Sequence, residues 1–102
     1  MSEKVIKRIF MGFMSIHILY HAEKDPIYGT WMIEELAHHG YKVSAGTLYP
    51  LLHELHDEGL LTLEERNVGG KIRKYYGITE DGKRVLREAR KKLKEFTQEG
   101  TI

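Results

Sequence analysis

The sequence contains no cysteine. This excludes disulfide frameworks, thiolate catalysis and zinc sites built on cysteine, and it is compatible with a reducing cytoplasm. The formal net charge is only +1, so global charge does not indicate a polyanionic partner. Nucleic-acid binding would be indicated only by local clustering of charge. With 102 residues, the chain is long enough for one domain with a modest core.

Long hydrophobic runs are also lacking. The longest apolar stretch, Ile9–Tyr20, is interrupted by His17 and is shorter than the roughly 20 residues that cross a bilayer. Lysine and arginine precede this stretch, as in a signal peptide, but no small-x-small cleavage site follows it. We therefore expect a buried or interface helix, a cytoplasmic protein and no membrane partner.

Proline is scarce, and its positions help to divide the chain. The Asp25-Pro26 pair ends a first helix, because the residue before proline is pushed out of the helical region. Apolar spacing, capping residues and β-forming residues predict the remaining elements. In chain order they are helices over residues 3–23, 29–39 and 44–59, strands over 61–66 and 71–78 joined by a turn at 67–70, and a helix over 80–99 capped by Thr79. The fold class is thus mainly α with a small β-hairpin.

Three helices, a hairpin and a final helix form the order of a winged helix-turn-helix. We expect a DNA-binding domain over residues 1–79 and a C-terminal dimerisation helix over residues 80–102. Residues 3–23 would contribute to the dimer as well, because the first helix carries apolar side chains over a wide arc and needs cover on more than one side.

The third helix contains Pro50, which removes one backbone hydrogen bond and crowds the carbonyl of Gly46. The missing side chain of Gly46 gives the backbone room to bend. Either the helix is only slightly bent, or the bend presents its first turn outward. In that turn the small residues Ser44, Gly46 and Thr47 permit close approach to a phosphate or a base edge.

The charged residues around the tip of the predicted hairpin are all basic. From Arg66 to Lys74 the segment carries four cations and no acid, which is typical of contact with phosphates and the minor groove. The competing interpretation is a solvated strand edge that prevents aggregation. Because the basic segment occurs together with the helix-turn-helix order, we favour the DNA-binding interpretation.

The last helix carries a short heptad-like apolar seam. The spacing favours an interface shared with the over-apolar first helix of a second copy. The competing interpretation is that the seam packs on the chain's own core. The predicted interface residues are Ile6, Ile9, Phe10, Phe13, Leu86, Ala89, Leu93 and Phe96.

Six histidines raise the question of a metal site. His17 and His21 lie four residues apart and His53 and His56 three apart, both of which are chelating spacings on a helix. No known catalytic pattern of carboxylate and histidine is present, so the histidines are interpreted as solvated or packed, with no metal and no cofactor. No nucleophile, base and acid set is visible either, and we expect no enzymatic activity.

Four segments closely resemble the PadR-like transcriptional regulators. They are Tyr28-Gly29, Ser44-Ala45-Gly46-Thr47-Leu48-Tyr49-Pro50-Leu51-Leu52, Glu58-Gly59-Leu60-Leu61 and Arg73-Lys74-Tyr75-Tyr76-Gly77-Ile78-Thr79-Glu80-Asp81-Gly82. The resemblance covers about residues 10–95. Thr30 and Trp31 depart from the aromatic-then-acidic pair that follows Tyr28-Gly29 in the family.

The resemblance implies a homodimeric repressor of an inverted-repeat operator in double-stranded DNA, with the third helix in the major groove and the hairpin on the minor groove. Family contacts map to the start of the third helix and to the basic hairpin. The candidate DNA-binding residues are Tyr28, Lys42, Ser44, Thr47, Tyr49, His53, Lys71, Arg73, Lys74 and Tyr75.

The resemblance also implies a small-molecule effector at the dimer interface, because some family members bind phenolic acids or planar drugs there. Drug-binding members use a tryptophan on the last helix, whereas Trp31 lies elsewhere, so the effector's identity and existence stay open. The alternative function is a winged helix protein-interaction module without specific DNA binding.

Overall fold

The computed structural model describes residues 2–98. Its elements are α1 (Glu3–Lys24), α2 (Gly29–His38), α3 (Ala45–Asp57), β1 (Leu61–Val68), β2 (Lys71–Ile78) and α4 (Glu80–Gln98). The predicted fold class, a mainly α winged helix-turn-helix with one hairpin, is confirmed. The end of the predicted last helix, residue 99, lies outside the described residues.

The hairpin differs from the prediction at its tip. β1 continues to Val68, which pairs with Lys71, so the turn contains only Gly69 and Gly70. Both glycines have positive φ, 59° and 84°, a backbone conformation that side chains disfavour and that two-residue hairpin turns require. The hairpin, here called the wing, is therefore longer and more regular than the sequence indicated.

The wing is joined to the chain segment that precedes α2. Ile27 forms an isolated antiparallel bridge with Tyr76, in which the amide of Ile27 donates to the carbonyl of Tyr76 at 2.9 Å and the amide of Tyr76 donates back at 2.7 Å. β2 consequently lies between Ile27 and β1. The sequence analysis did not predict this bridge.

All three N-terminal helices, the wing and the start of α4 contribute to one core. Its residues are Met14, Ile18, Leu19, Ala22, Ile27, Met32, Leu36, Leu48, Leu51, Leu52, Leu55, Leu61, Tyr76 and Leu86. One prediction is corrected here. Leu86 has no exposed surface and packs in the core of its own chain, so it has no area to offer a partner.

Thr79 connects the end of α3 to the start of α4. Its hydroxyl accepts a hydrogen bond from the amide of Gly82 at 2.9 Å, which confirms the predicted N-cap. The same hydroxyl donates to the carbonyl of Gly59 at 2.6 Å. One side chain thus orients the last helix relative to the helix-turn-helix.

Between residues 2 and 98, no helix combines the length and the apolar character that crossing a membrane requires.

Candidate nucleic-acid interface

One face of α3 is open to solvent. The leucines Leu48, Leu51, Leu52 and Leu55 are buried, whereas Gly46, Pro50 and His53 are exposed. These exposed residues follow one another at offsets of four and three, so they lie along a single line of the helix surface. The helix continues through Pro50, and the proline itself stands at the middle of the exposed face.

The start of α3 lacks a side-chain cap. Ser44 precedes the helix, but its side chain makes no capping hydrogen bond and instead donates to the hydroxyl of Thr47 at 3.3 Å. Its carbonyl accepts from the amides of Thr47 and Leu48. Because the Ser44 side chain does not cap the helix, the first-turn amides that precede Thr47 are left for another acceptor, and an anion suits that position.

Aromatic rings and guanidinium groups stack where the wing meets the start of α2. The rings of Tyr28 and Tyr75 lie 5.4 Å apart in an edge-on arrangement. The guanidinium of Arg73 lies 4.1 Å from the centroid of Tyr28, and that of Arg66 lies 4.2 Å from the centroid of Tyr75. Cation–π contacts of this kind hold the arginine side chains in one orientation.

A groove of about 280 Å³ separates the wing from α2 and α3. Tyr28, Gly29 and Tyr49 line one side, and the wing residues from Lys71 to Lys74 line the other. Tyr49 packs directly on Gly29, where an added Cβ atom would overlap its ring. Glycine at this position therefore permits the close approach of α3 to the start of α2.

The remaining candidates lie on the opposite side of the exposed α3 face. Lys42, Ser44 and Thr47 line a second groove, of about 290 Å³, together with Lys7 and Phe10 of α1. The ten predicted DNA-binding residues thus do not form one cluster. They flank the exposed line of α3 on its two sides, with His53 on the line itself.

The wing is less uniformly basic than its sequence indicated. The Nε of Arg66 lies 3.0 Å from the carboxylate of Glu64, and this hydrogen bond lowers the pKa of Glu64. Lys74 stands opposite Glu65 in the register. Since alternate residues of a strand face opposite sides, Lys71 and Arg73 share one face, and Lys74 belongs to the other.

The predicted dimer residues have different environments. Ile6, Ile9 and Phe13 of α1 are exposed, as are Leu93 and Phe96 of α4, with Ile9 at 55 % and Phe96 at 48 %. Ala89 is half-buried. Phe10 is half-buried too, because its ring packs edge-on at 5.0 Å against Tyr41.

Comparison with known proteins gives the function class. Residues 18–88 match the transcriptional regulator PadR-like family. The chain belongs to this family. It is 46 % identical over 84 residues to the transcriptional regulator Rv3488 of Mycobacterium tuberculosis, covering 82 % of this chain and 78 % of that protein.

Solved PadR-like structures share the fold along almost the whole chain. A PadR-like transcription factor from Bacteroides fragilis has a TM-score of 0.85 and 31 % identity, over 97 % of each chain. A PadR family regulator from Eggerthella lenta has a TM-score of 0.82 and 35 % identity, covering 96 % of this chain and 87 % of the other. The protein is thus a winged helix DNA-binding transcriptional regulator.

Sequence reasoning missed three features of this PadR-like surface. Ile72 of the wing is 64 % exposed, which its place in the alternation of β2 could have indicated. Lys7 joins Lys42 only through the packing of α1, for which the sequence carries no signal. Pro50 predicts a bend in the helix, but its place at the centre of the exposed face was not predicted.

Proposed function

We propose that this PadR-like regulator is a repressor that binds an inverted-repeat operator as a homodimer. The observation that carries the proposal is the exposed line Gly46, Pro50 and His53 of α3, flanked on one side by Lys42 and on the other by Lys71 and Arg73. This arrangement suits a helix in the major groove with phosphate contacts on both sides.

The chemistry of each part supports this assignment. Small residues and an uncapped first turn let the start of α3 approach a phosphate or a base edge. Arg73 is oriented by its contact with Tyr28 before any ligand arrives, which reduces the entropy lost on binding. Lys71 is exposed on the same face of the wing and can reach the DNA backbone.

A second copy would cover the exposed apolar residues at both ends of the chain. Ile6, Ile9 and Phe13 project from α1, and Leu93 and Phe96 project from the end of α4. A two-fold dimer through these helices would place two recognition helices about 34 Å apart, one turn of DNA. In this proposal residues 1–79 bind DNA and residues 80–102 dimerise, with the first turns of α4 also completing the core through Leu86.

The test is selection of genomic fragments bound by the purified protein, followed by titration of the selected duplex at several salt concentrations. We expect an inverted repeat and an affinity that falls steeply as the salt concentration rises. Phosphate contacts release counterions from the DNA, and this release becomes less favourable at high salt. Absence of affinity for any duplex at low salt would overturn the proposal and favour the protein-interaction module.

The sign of regulation requires a separate measurement. A reporter under the selected operator should be expressed less when the protein is present, and more expression would identify an activator. We place the protein in the cytoplasm, where the operator is accessible.

The proposed effector site lies within a single chain. A pocket of about 360 Å³ between α1, α2 and the wing is lined by Trp31, Tyr28 and Tyr75, and these rings suit a planar aromatic ligand. Its position within one chain differs from the dimer-interface site expected from the sequence. A phenolic acid that occupies this pocket should raise the melting temperature of the parent protein and not of the Trp31→Ala variant.

A further inference from the structure

Two imidazoles and a carboxylate meet where α1 packs against the end of α2. His21 lies on α1, Glu35 on α2 and His39 directly after α2. The same oxygen of Glu35, Oε1, lies 3.4 Å from Nε2 of His39 and 3.9 Å from Nε2 of His21. One ligand atom from each of the three residues falls within 4.8 Å of the other two.

Hydrogen bonding within the cluster does not satisfy His21. Its Nε2 atom is buried and has no hydrogen-bond partner among the described residues, and its distance to Glu35 exceeds that of a hydrogen bond. The ring is held on both sides, 5.0 Å from Tyr20 and 5.4 Å from Trp31. A buried polar atom that lacks a partner calls for an explanation such as an ion.

One separation in the cluster matches that around a tetrahedral metal ion, whereas Oε1 of Glu35 and Nε2 of His21 lie farther apart, at 3.9 Å. With bonds of about 2.0 Å, two ligand atoms of a tetrahedral zinc ion lie roughly 3.3 Å apart, close to the 3.4 Å between Glu35 and His39. Two histidine nitrogens and one carboxylate oxygen form a donor set that zinc and similar divalent ions accept. We propose that His21, Glu35 and His39 bind one zinc-class divalent cation per chain, with water at the fourth position.

The surroundings of the cluster favour ligation over a simple ion pair. The Nε2 atom of His21 is buried beside the Glu35 carboxylate but stays beyond hydrogen-bond distance of it, so a direct ion pair leaves this nitrogen without a partner. The side chain of His39 is 49 % exposed and provides a path for the ion. His38 approaches the other oxygen of Glu35 at 4.0 Å, and the ring of His17 lies 5.4 Å from that of His39.

The site would join α1 to the chain just before the turn Gly40–Val43. This turn leads directly into α3, the proposed recognition helix. A bound cation would therefore restrain the end of α2 and the turn, and it would stabilise the folded chain by an amount that grows with the logarithm of its concentration over its dissociation constant.

The experiment uses the full, untagged chain after dialysis against a chelator. Zinc binding is measured by calorimetry and Co²⁺ binding by its visible absorption, which reports tetrahedral coordination. The variants are His39→Gln and Glu35→Gln. The matched control is His56→Gln, because His56 also lies near a carboxylate, 3.5 Å from Asp57, but forms no such three-residue cluster with other residues between 2 and 98.

We expect one zinc ion per chain, a tetrahedral Co²⁺ spectrum and a melting temperature that rises with zinc in the parent and the control. Loss of a ligand should weaken binding at least about tenfold, since even changes beside a ligand weaken it this much. The proposal is overturned if the parent binds no zinc at micromolar concentration. It is equally overturned if both variants, shown to be folded by circular dichroism, bind zinc as tightly as the control.

Discussion

The guanidinium of Arg73 on the wing lies 4.1 Å above the ring of Tyr28 at the start of α2. The wing is thereby held against the helix-turn-helix by the side chain of Arg73, which also supplies part of the wing's positive charge. Together with the bridge between Ile27 and Tyr76, this contact sets the position of the wing relative to α3.

The Arg73→Ala variant should bind every duplex more weakly. Because a phosphate contact carries no sequence information, we expect the loss to be similar for operator and random DNA, and the salt slope to decrease by about one unit. Fluorescence anisotropy at several salt concentrations measures both quantities. Lys91→Ala removes an equal charge from α4 and should leave the slope unchanged; an equal decrease there would attribute the effect to net charge.

His53→Ala tests the exposed line of α3. A side chain that contacts base edges should alter the preference among operator variants by about 1–3 kcal/mol at one position and leave binding to random DNA unaffected. Competition among single-base operator variants gives this preference. A uniform loss over all sequences would assign His53 to backbone contact instead.

Gly29→Ala should destabilise the protein by about 1–3 kcal/mol, because the new methyl group overlaps the ring of Tyr49 and the two helices must move apart. Denaturant unfolding measures the change. The matched comparison introduces Gly29→Ala into a Tyr49→Ala background, where the space is free and the cost should largely disappear. An equal cost in both backgrounds would place its origin in the backbone.

Ile9→Asp should shift the protein toward monomer. An unpaired carboxylate at the proposed interface should raise the dimer dissociation constant more than about tenfold, as sedimentation would show. Ile72→Asp is the control, since Ile72 is an equally apolar and exposed residue on the wing. If both variants dissociate over the same range of protein concentration as the parent, the α1 interface is wrong.

The stability of the metal-free protein should decrease as the pH falls below about 6.5, the ordinary histidine value. Burial lowers the pKa of His21 and of His17 in the folded state, so the unfolded chain binds more protons in that range and is favoured. Above that value both states are neutral at these positions and the penalty is absent. Melting temperatures between pH 5 and 8 in a chelating buffer measure the effect, and His21→Gln should reduce it.

The arrangement of elements was predictable because strong local signals marked it. Asp25-Pro26 ended the first helix, the leucine spacing defined α3, and Thr79 capped α4 as its sequence context indicated. These signals act over a few residues and do not depend on what the chain packs against. The two glycines of the wing turn were also visible, although the extension of β1 to Val68 required the pairing itself.

The candidate site was less predictable because its features depend on long-range contacts. The heptad spacing of α4 could not reveal that Leu86 turns into the chain's own core while Phe96 remains exposed. The segment from Arg66 to Lys74 contains no acid, yet strand pairing places Glu65 of β1 opposite Lys74. Likewise His21 and His39 are distant in sequence and meet only when α1 packs on α2.

A single residue, Thr79, separates the last strand from the last helix, and its hydroxyl is bonded to the chain on both sides. This leaves no linker that could lengthen or swivel between the proposed DNA-reading and dimerising parts. In a dimer built through α4, the distance between the two recognition helices, α3 of each copy, would thus be fixed by the protein. An operator with one base pair added between its half-sites should then lose most of its affinity, since the added twist and rise would have to be absorbed by the DNA.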